Sequence, residues 1–284
     1  MQARIESLSH EGRGVAHVGG KTTFVEGGLP GETVELRYLR RRGRFDEAIV
    51  TAVLVAAVTR REPGCAHYGV CGGCALQHLE PAAQIAHKQG VLLEQLRHAA
   101  GVAPAAILPP LVAAPWGYRR KARLGVRRVP KKGGVLVGFR ERHSPYVAVL
   151  DACPVLAPAA SALIPALKAM IGSLSVSDRV PQVEVAVTDD AVALLLRHLA
   201  PLTAADGQVL AAFAAGHGVD LWLQPGGPAS AHPLDGTAPR PLAYRLPHHD
   251  VEIRFGPADF TQVNFEINAQ LVDRVVELLA PRAD

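Results

Sequence analysis

The chain has 284 residues, 49% of them hydrophobic, with 30 Lys/Arg against 26 Asp/Glu and four cysteines. It contains no apolar run long enough to cross a bilayer, and the opening MQARIESLSHEGRG lacks the apolar region of a signal peptide. Four cysteines are too few for a disulfide scaffold at this length, so the expectation is a soluble, cytoplasmic protein of two or three domains.

Residues 1 to about 58 read as all-β. ARIESLS, TTFVEGG, ETVELRYLR and EAIVTAVL are short strand-like runs, and HEGRGVAHVGGK and GGLPGE read as glycine-rich turns between them. Several short strands with glycine corners suggest a small barrel of the OB type. A loop-like segment with three cysteines follows. PAAQIAHKQGVLLEQLRHAAG then has helical spacing, with Ile85, Leu92, Leu93 and Leu96 roughly on one face. Pro104, Pro109, Pro110 and Pro115 interrupt regular structure.

RRKARLGVRRV and VLVGFRER flank PKKGG and predict a β-hairpin in which alternation places arginines on one open face. From Trp116 to Arg142 ten Lys/Arg face one acid, Glu141, and a second cluster is RYLRRRGR, Arg37 to Arg44. Local basicity on a nearly neutral chain points to a directed surface for a polyanion. Further on, SALIPALKAMIGSL predicts a helix whose start Pro165 shifts. QVEVAVTDDAVALLLRHL predicts two strands around Asp189 and Asp190, ADGQVLAAFAAGHG a helix and VDLWLQP a strand. Gly226 to His249 reads as loops and edge structure. The end is a turn and an amphipathic helix with Leu271, Val275, Leu278 and Leu279 on one face, stopped by Pro281.

The cysteines are spaced C-x5-C-x2-C (Cys65, Cys71, Cys74), with Cys153 far downstream before Pro154. Four thiolates suit a tetrahedral zinc or a [4Fe–4S] cube. Gly72 and Gly73 allow close backbone approach to an inorganic core. Zinc ribbons usually pair two short knuckles, and here there is one. Four unrelated buried thiols, a structural zinc and a cluster all stay open, and the three-plus-one arrangement favours the cluster.

CAHYGVCGGCALQHL, the later CPVLAP, GRGVAHVGGKTTFVEGGLPGE, PWGYRRKARLGV, VGFRERHS, LLLRHLAPL and DFTQVN together resemble the RlmD (RumA) family of 23S rRNA uracil-C5 methyltransferases. The resemblance implies an RNA-binding TRAM domain at 1–58 and a [4Fe–4S] cluster on Cys65, Cys71, Cys74 and Cys153. It also implies S-adenosylmethionine contact at Gln262. A central iron–sulfur domain would comprise 59–76 and 114–259, and 77–113 and 260–284 would pack with a methyltransferase domain. In the family a strand with a glycine-rich turn cradles the cofactor, a later cysteine attacks C6 of the uracil, and a carboxylate helps remove the C5 proton. No such turn is present here, and all four cysteines are already assigned. The catalytic residues are therefore expected beyond Asp284, and the chain is expected to be the N-terminal part of such an enzyme, inactive alone.

The fold class expected is multi-domain α+β: an OB-like TRAM barrel, an α/β iron–sulfur domain and the start of a Rossmann-like methyltransferase domain. Arg40, Arg41, Arg42, Arg44, Arg119, Arg120, Lys121, Arg123, Arg127, Arg128, Lys131 and Lys132 are the expected RNA contacts, because arginine can fork onto phosphates and stack on bases. The partner is 23S rRNA, the state a monomer, with no membrane. Trp116 and Tyr118 read as core or hinge residues, Asp189 and Asp190 as a turn, the histidines as surface, and Asn264 or Asn268 as a helix cap. The alternatives are a related tRNA uracil-C5 methyltransferase and a stand-alone RNA-binding module with a structural metal. A cluster-based redox protein fits less well, because no partner redox cysteine is present.

Overall fold

The computed structural model describes residues 1–236 and 240–281. Residues 237–239, inside the stretch read as loops, and 282–284, the end of the 260–284 segment, lie outside the described residues. Asp284 is one of these, so the expectation that catalytic residues follow it also falls outside what the structure describes. The chain divides into two compact units, 1–110 and 111–284. Among the described residues no helix is long and apolar enough to cross a membrane.

Unit 1–110 begins with β1 (Gln2–Arg4), β2 (Ser7–Leu8), β3 (Gly14–Val18), β4 (Lys21–Glu26), β5 (Thr33–Arg41) and β6 (Asp46–Val55). They form one sheet in the order β1-β5-β6-β4-β3-β2, antiparallel except where β4 meets β6. β1 and β2 are the outer strands, yet only Ile5 and Glu6 separate them. Three Cα steps span at most about 11 Å, so the sheet edges meet and the sheet closes into a barrel. The two linking residues continue both edge ladders. The Ile5 amide donates to the Glu32 carbonyl (2.9 Å) and the Glu6 amide to the Val15 carbonyl (2.8 Å).

Ile5, Ala16, Val25, Val34, Leu36 and Ala48 fill the barrel core. β3 departs from the expectation, since its residues sit in the stretch read as a turn. Its inward positions are Gly14 and Ala16, too small to show as a hydrophobic alternation. The smallness is required: a Cβ on Gly14 would lie 2.9 Å from both Ile5 Cγ2 and the Gly28 carbonyl oxygen. After the cysteine loop, α1 (Pro81–Ala100) forms as expected and ends at Gly101. Leu92, expected on the apolar face, is instead exposed, while Ile85, Leu93 and Leu96 are half-buried.

Unit 111–284 contains β7 (Lys121–Val129), β8 (Gly134–Gly138), α2 (Pro158–Ser173), β9 (Gln182–Val187), β10 (Val192–Arg197), α3 (Ala204–His217), β11 (Asp220–Gln224) and β12 (His232–Pro233). The sheet order is β12-β11-β10-β9-β7-β8. Only β10 and β11 are parallel, because α3 crosses over between them, as parallel neighbours require. β13 (Leu242–Leu246) and β14 (Val251–Phe255) pair as a separate ribbon, and α4 (Phe265–Leu279) closes the unit. β13 lies within the stretch read as loops and edge structure. Leu242 is buried with Ala186, Ala191 and Ala193, and Phe255 packs against them, so tertiary burial makes a strand of a Pro/Gly-rich segment.

α2 starts at Pro158, which occupies its first turn, and Pro165 stays inside the helix without setting its start. Proline lacks the amide that would bond one turn back and costs about 3 kcal/mol in a helix interior. Ala160, Leu163, Ile164, Leu167, Met170 and Ile171 are all buried at helical spacing, and burying one such large side chain contributes about 1.5–3 kcal/mol, so packing prevails.

Candidate functional site

The cysteine loop is built on a buried ion pair. Glu32 has no solvent exposure. Its carboxylate accepts from Arg60 Nε (2.5 Å) and Nη2 (2.7 Å), the Leu29 amide (2.9 Å) and the Ala57 amide (3.2 Å). Burial pushes its pKa up, but the Arg60 bonds and the two amides outweigh burial and hold it below the usual carboxylate range. Arg60 and Leu79 form an antiparallel bridge, and the Arg61 amide donates to the His78 carbonyl (2.9 Å), so residues 61–78 leave and return at one point. Within the loop, Tyr68 donates to the Ala75 carbonyl (2.7 Å) and meets Nδ1 of the buried His78 at 2.5 Å. Gln84 of α1 donates to the carbonyls of Leu76 and Leu79. Glu32, Tyr68 and His78 lie inside the quoted motifs, but only the tertiary contacts identify their roles.

Cys65, Cys71 and Cys74 sit half-exposed in this loop, and none of the four cysteines is in a disulfide. The Gly73 amide points at Cys71 Sγ (3.4 Å), a contact that also tunes cluster sulfurs. Cys153 is buried in the other unit, its amide donating to Ser161 Oγ (2.9 Å). The donor chemistry suits a soft metal or cluster. Among the described residues no three His, Cys, Asp or Glu side chains converge to hold a metal ion.

The basic hairpin forms at β7–β8. Ala122, Leu124 and Val126 point inward, while Arg123 and Arg127 lie exposed on the opposite face. Glu141 is the only acid within the segment, but folding brings others to it. Arg120 pairs with Asp189 (2.6 Å) and lies over the Phe265 ring, and Arg123 pairs with the buried Glu184 (3.0 Å). Lys121 donates to the carbonyls of Pro257 (2.9 Å) and Asp259. Burial pulls the Lys121 ammonium below its usual pKa, against the opposing pull of Glu184 and Asp259. Arg119 lies over Phe139, and its backbone bridges Leu156 and Asn264. Lys132 reaches Glu141 (3.4 Å). Arg127, Arg128 and Lys131 are exposed and make no ion pair among the described residues. On the barrel, Arg40, Arg41, Arg42 and Arg44 are exposed; Arg41 covers the Tyr38 ring (4.3 Å) and Arg42 the Phe45 ring (5.5 Å).

Gln262 is exposed in a segment pinned by the Arg120 amide, which donates to the Val263 carbonyl (2.8 Å). The exposed side-chain amide of Gln262 suits a ligand contact, and beside it Thr261 Oγ1 is buried without a hydrogen-bond partner among the described residues. Asn264 caps α4 by accepting from the Ile267 amide (3.0 Å). His248 and His249, read as plain surface, both hold Asp273 of α4, at 2.7 and 2.9 Å.

The chain is similar to known proteins along most of its length. A TRAM domain model matches residues 1–37. The chain is 54% identical over 280 residues to the 23S rRNA (uracil(1939)-C(5))-methyltransferase RlmD of Aromatoleum aromaticum, covering 99% of this chain and 65% of that protein. It is 53% identical over 276 residues to the enzyme of the same name from Alkalilimnicola ehrlichii, covering 97% and 62%. The chain thus spans less than two thirds of the length of these curated relatives. Among solved structures, Pyrococcus abyssi tRNA (uracil-54, C5)-methyltransferase in complex with S-adenosyl-L-homocysteine aligns with a TM-score of 0.68 at 19% identity, over 98% of this chain and 65% of that one. Along almost its whole length, therefore, the chain is similar to the RlmD 23S rRNA uracil-C5 methyltransferases and shares the fold of an RNA uracil-C5 methyltransferase.

Proposed function

We propose that the chain is the RNA-gripping part of an RlmD-type enzyme that methylates C5 of a uridine in 23S rRNA. The observation that carries this reading is the 54% identity to an RlmD over 99% of the chain. A paired uridine must leave its stack before C6 can be attacked. The exposed cations of the barrel and of the β7–β8 hairpin would hold the flanking strand while that happens.

S-adenosylmethionine, when bound, supplies the methyl group as an electrophilic carbon. Gln262 contacts it through the exposed side-chain amide, in a segment that Arg120 fixes. Cys65, Cys71, Cys74 and Cys153 ligate a [4Fe–4S] cluster with a structural or RNA-binding role, which methyl transfer does not use for redox. Their thiol character and the amide directed at Cys71 support this assignment. With all four cysteines so committed, none remains to attack C6. On this assignment the polypeptide alone transfers no methyl group. It acts in the cytoplasm as a monomer, with segments 59–76 and 114–259 as the cluster domain and 77–113 and 260–284 facing the catalytic part.

The test is metal and sulfide analysis after anaerobic purification, run beside a methyl-transfer assay on 23S rRNA. Iron and acid-labile sulfide near four each per chain are expected. Zinc near one per chain without sulfide would replace the cluster by a structural zinc and leave an RNA-binding module as the better reading. Any methyl incorporation by this polypeptide would refute its inactivity.

A further inference from the structure

We propose that Tyr146, together with the exposed cations at the end of the β7–β8 hairpin, forms a stacking platform for an unpaired base of single-stranded RNA. The proposal rests on the RNA-binding reading above and goes further by naming the RNA conformation accepted and the residue that reads it.

Tyr146 is 65% exposed, and its ring makes no aromatic contact among the described residues. Its backbone is nevertheless firmly held. Arg140 and Val147 form an antiparallel bridge, the Glu141 amide donates to the Tyr146 carbonyl (2.8 Å) and the Ala148 amide to the Phe139 carbonyl (2.9 Å). The turn between is braced from inside: Tyr146 donates its amide to Ser144 Oγ (3.2 Å), and the Ser144 hydroxyl donates to Glu141 (2.6 Å). The sequence thus places a large, mostly exposed ring on a fixed support.

Arg140, bridged to Val147, and Lys132 tie the hairpin to this support. Lys132, in the β7–β8 turn, reaches the other oxygen of the Glu141 carboxylate (3.4 Å), so that turn and the Tyr146 turn meet at Glu141. Glu141 is occupied by Ser144 and Lys132. Arg127, Arg128, Lys131 and Arg140 remain exposed and make no ion pair among the described residues. A π-face flanked by unpaired cations matches a base flanked by phosphates. In a duplex the base faces are already stacked on one another, so the ring can add nothing there. The platform therefore selects single strands, tolerates any base, and leaves phosphate attraction to the arginines and Lys131.

The experiment measures binding of the full chain to a labelled single strand of about 12 nucleotides and to a duplex of the same length. Wild type, Tyr146→Ala and Tyr146→Phe are compared at several salt concentrations. Tyr146→Ala should weaken single-strand binding roughly 5- to 150-fold, leave duplex binding within about twofold, and keep the wild-type salt slope, because no phosphate contact is lost. Tyr146→Phe should stay within about twofold of wild type, since the ring and not the hydroxyl stacks. An unchanged affinity in Tyr146→Ala, or an equal loss on duplex and single strand, would overturn the platform while leaving RNA binding intact. A wild-type chain that binds neither RNA would overturn both. Unchanged thermal melting of Tyr146→Ala serves as the folding control.

Discussion

Arg60 places two of its guanidinium nitrogens on the two carboxylate oxygens of Glu32, at 2.5 and 2.7 Å, and Glu32 is completely buried. A third contact, from Arg60 Nη2 to the Gly27 carbonyl (2.6 Å), fixes the fork. The pair joins the barrel to the base of the cysteine loop within one unit. Breaking a buried ion pair from one side leaves an uncompensated charge and costs about 3–5 kcal/mol. Arg60→Ala should destabilise residues 1–110 by that amount, read as faster hydrogen exchange along β5 and β6. Unchanged exchange would show that the pair carries little of the barrel's stability.

The same pair sets an acid limit. The folded pKa of Glu32 is depressed, so its contribution is fully present above the unfolded value of about 4.3 and is lost as pH falls through the folded pKa. Glu32→Gln should flatten that acid branch of the β5–β6 exchange profile. A profile with the same slope in both proteins would contradict the assignment.

Thr203 and Asp206 form a reciprocal cap at the start of α3, each side chain accepting from the other's amide at 3.1 and 2.9 Å. Asp206 also accepts from the amide and hydroxyl of Ser175 (2.7 and 2.6 Å). The Ser175 bond first, and then the amides, hold its carboxyl well below the usual range despite burial. Thr203→Ala should cost about 1 kcal/mol, and Asp206→Ala more, because it also strands Ser175. This stability is present above the unfolded Asp pKa of about 3.9 and fades as pH falls further. Fluorescence of Trp222 in β11 during urea unfolding measures both variants; equal midpoints for wild type and Asp206→Ala would refute the role.

The hairpin cations should separate into two groups. Arg123→Ala removes the ion-pair partner of the buried Glu184, which still accepts from the Gln182 side-chain amide (3.0 Å), and should cost about 1 kcal/mol, seen as a lower melting temperature. Replacing Arg127, Arg128 and Lys131 with Ala should change stability by no more than about 0.5 kcal/mol each. That triple variant should lower the salt slope of single-strand binding by about 2. A triple variant that melts early while keeping its salt slope would reverse the assignment.

Asp273 accepts from His248 and His249, and the His248 bond first depresses its pKa. Asp273→Asn should speed hydrogen exchange in α4. His249→Ala should matter more than His248→Ala, because the His249 side chain is 25% exposed and that of His248 78%. Equal exchange rates in all three variants would show that the contact does not hold the helix.

Much of this was legible in the chain itself. Alternation identified β5, β6, β9 and β10, helical spacing identified α1, α3 and α4, and the run of cations marked the β7–β8 hairpin, because each signal is local and periodic. The motifs of the first and middle segments matched the similarity found to RlmD enzymes. β3 was hidden because small residues face its core, and β13 because its burial depends on Ala186, Ala191 and Ala193 far away in the sequence.

Side-chain type and spacing set where most of the strands and helices form and where the cations and thiols concentrate. What those groups do follows from the folded arrangement. Asp189 and Glu184, separated from Arg120 and Arg123 by 69 and 61 residues, bind them, while Arg127, Arg128 and Lys131 make no ion pair among the described residues. In the same way folding buried Glu32 against Arg60 and left the ring of Tyr146 in water. Charge partnership and burial depend on which distant residues folding brings within about 4 Å, and no local pattern contains that distance.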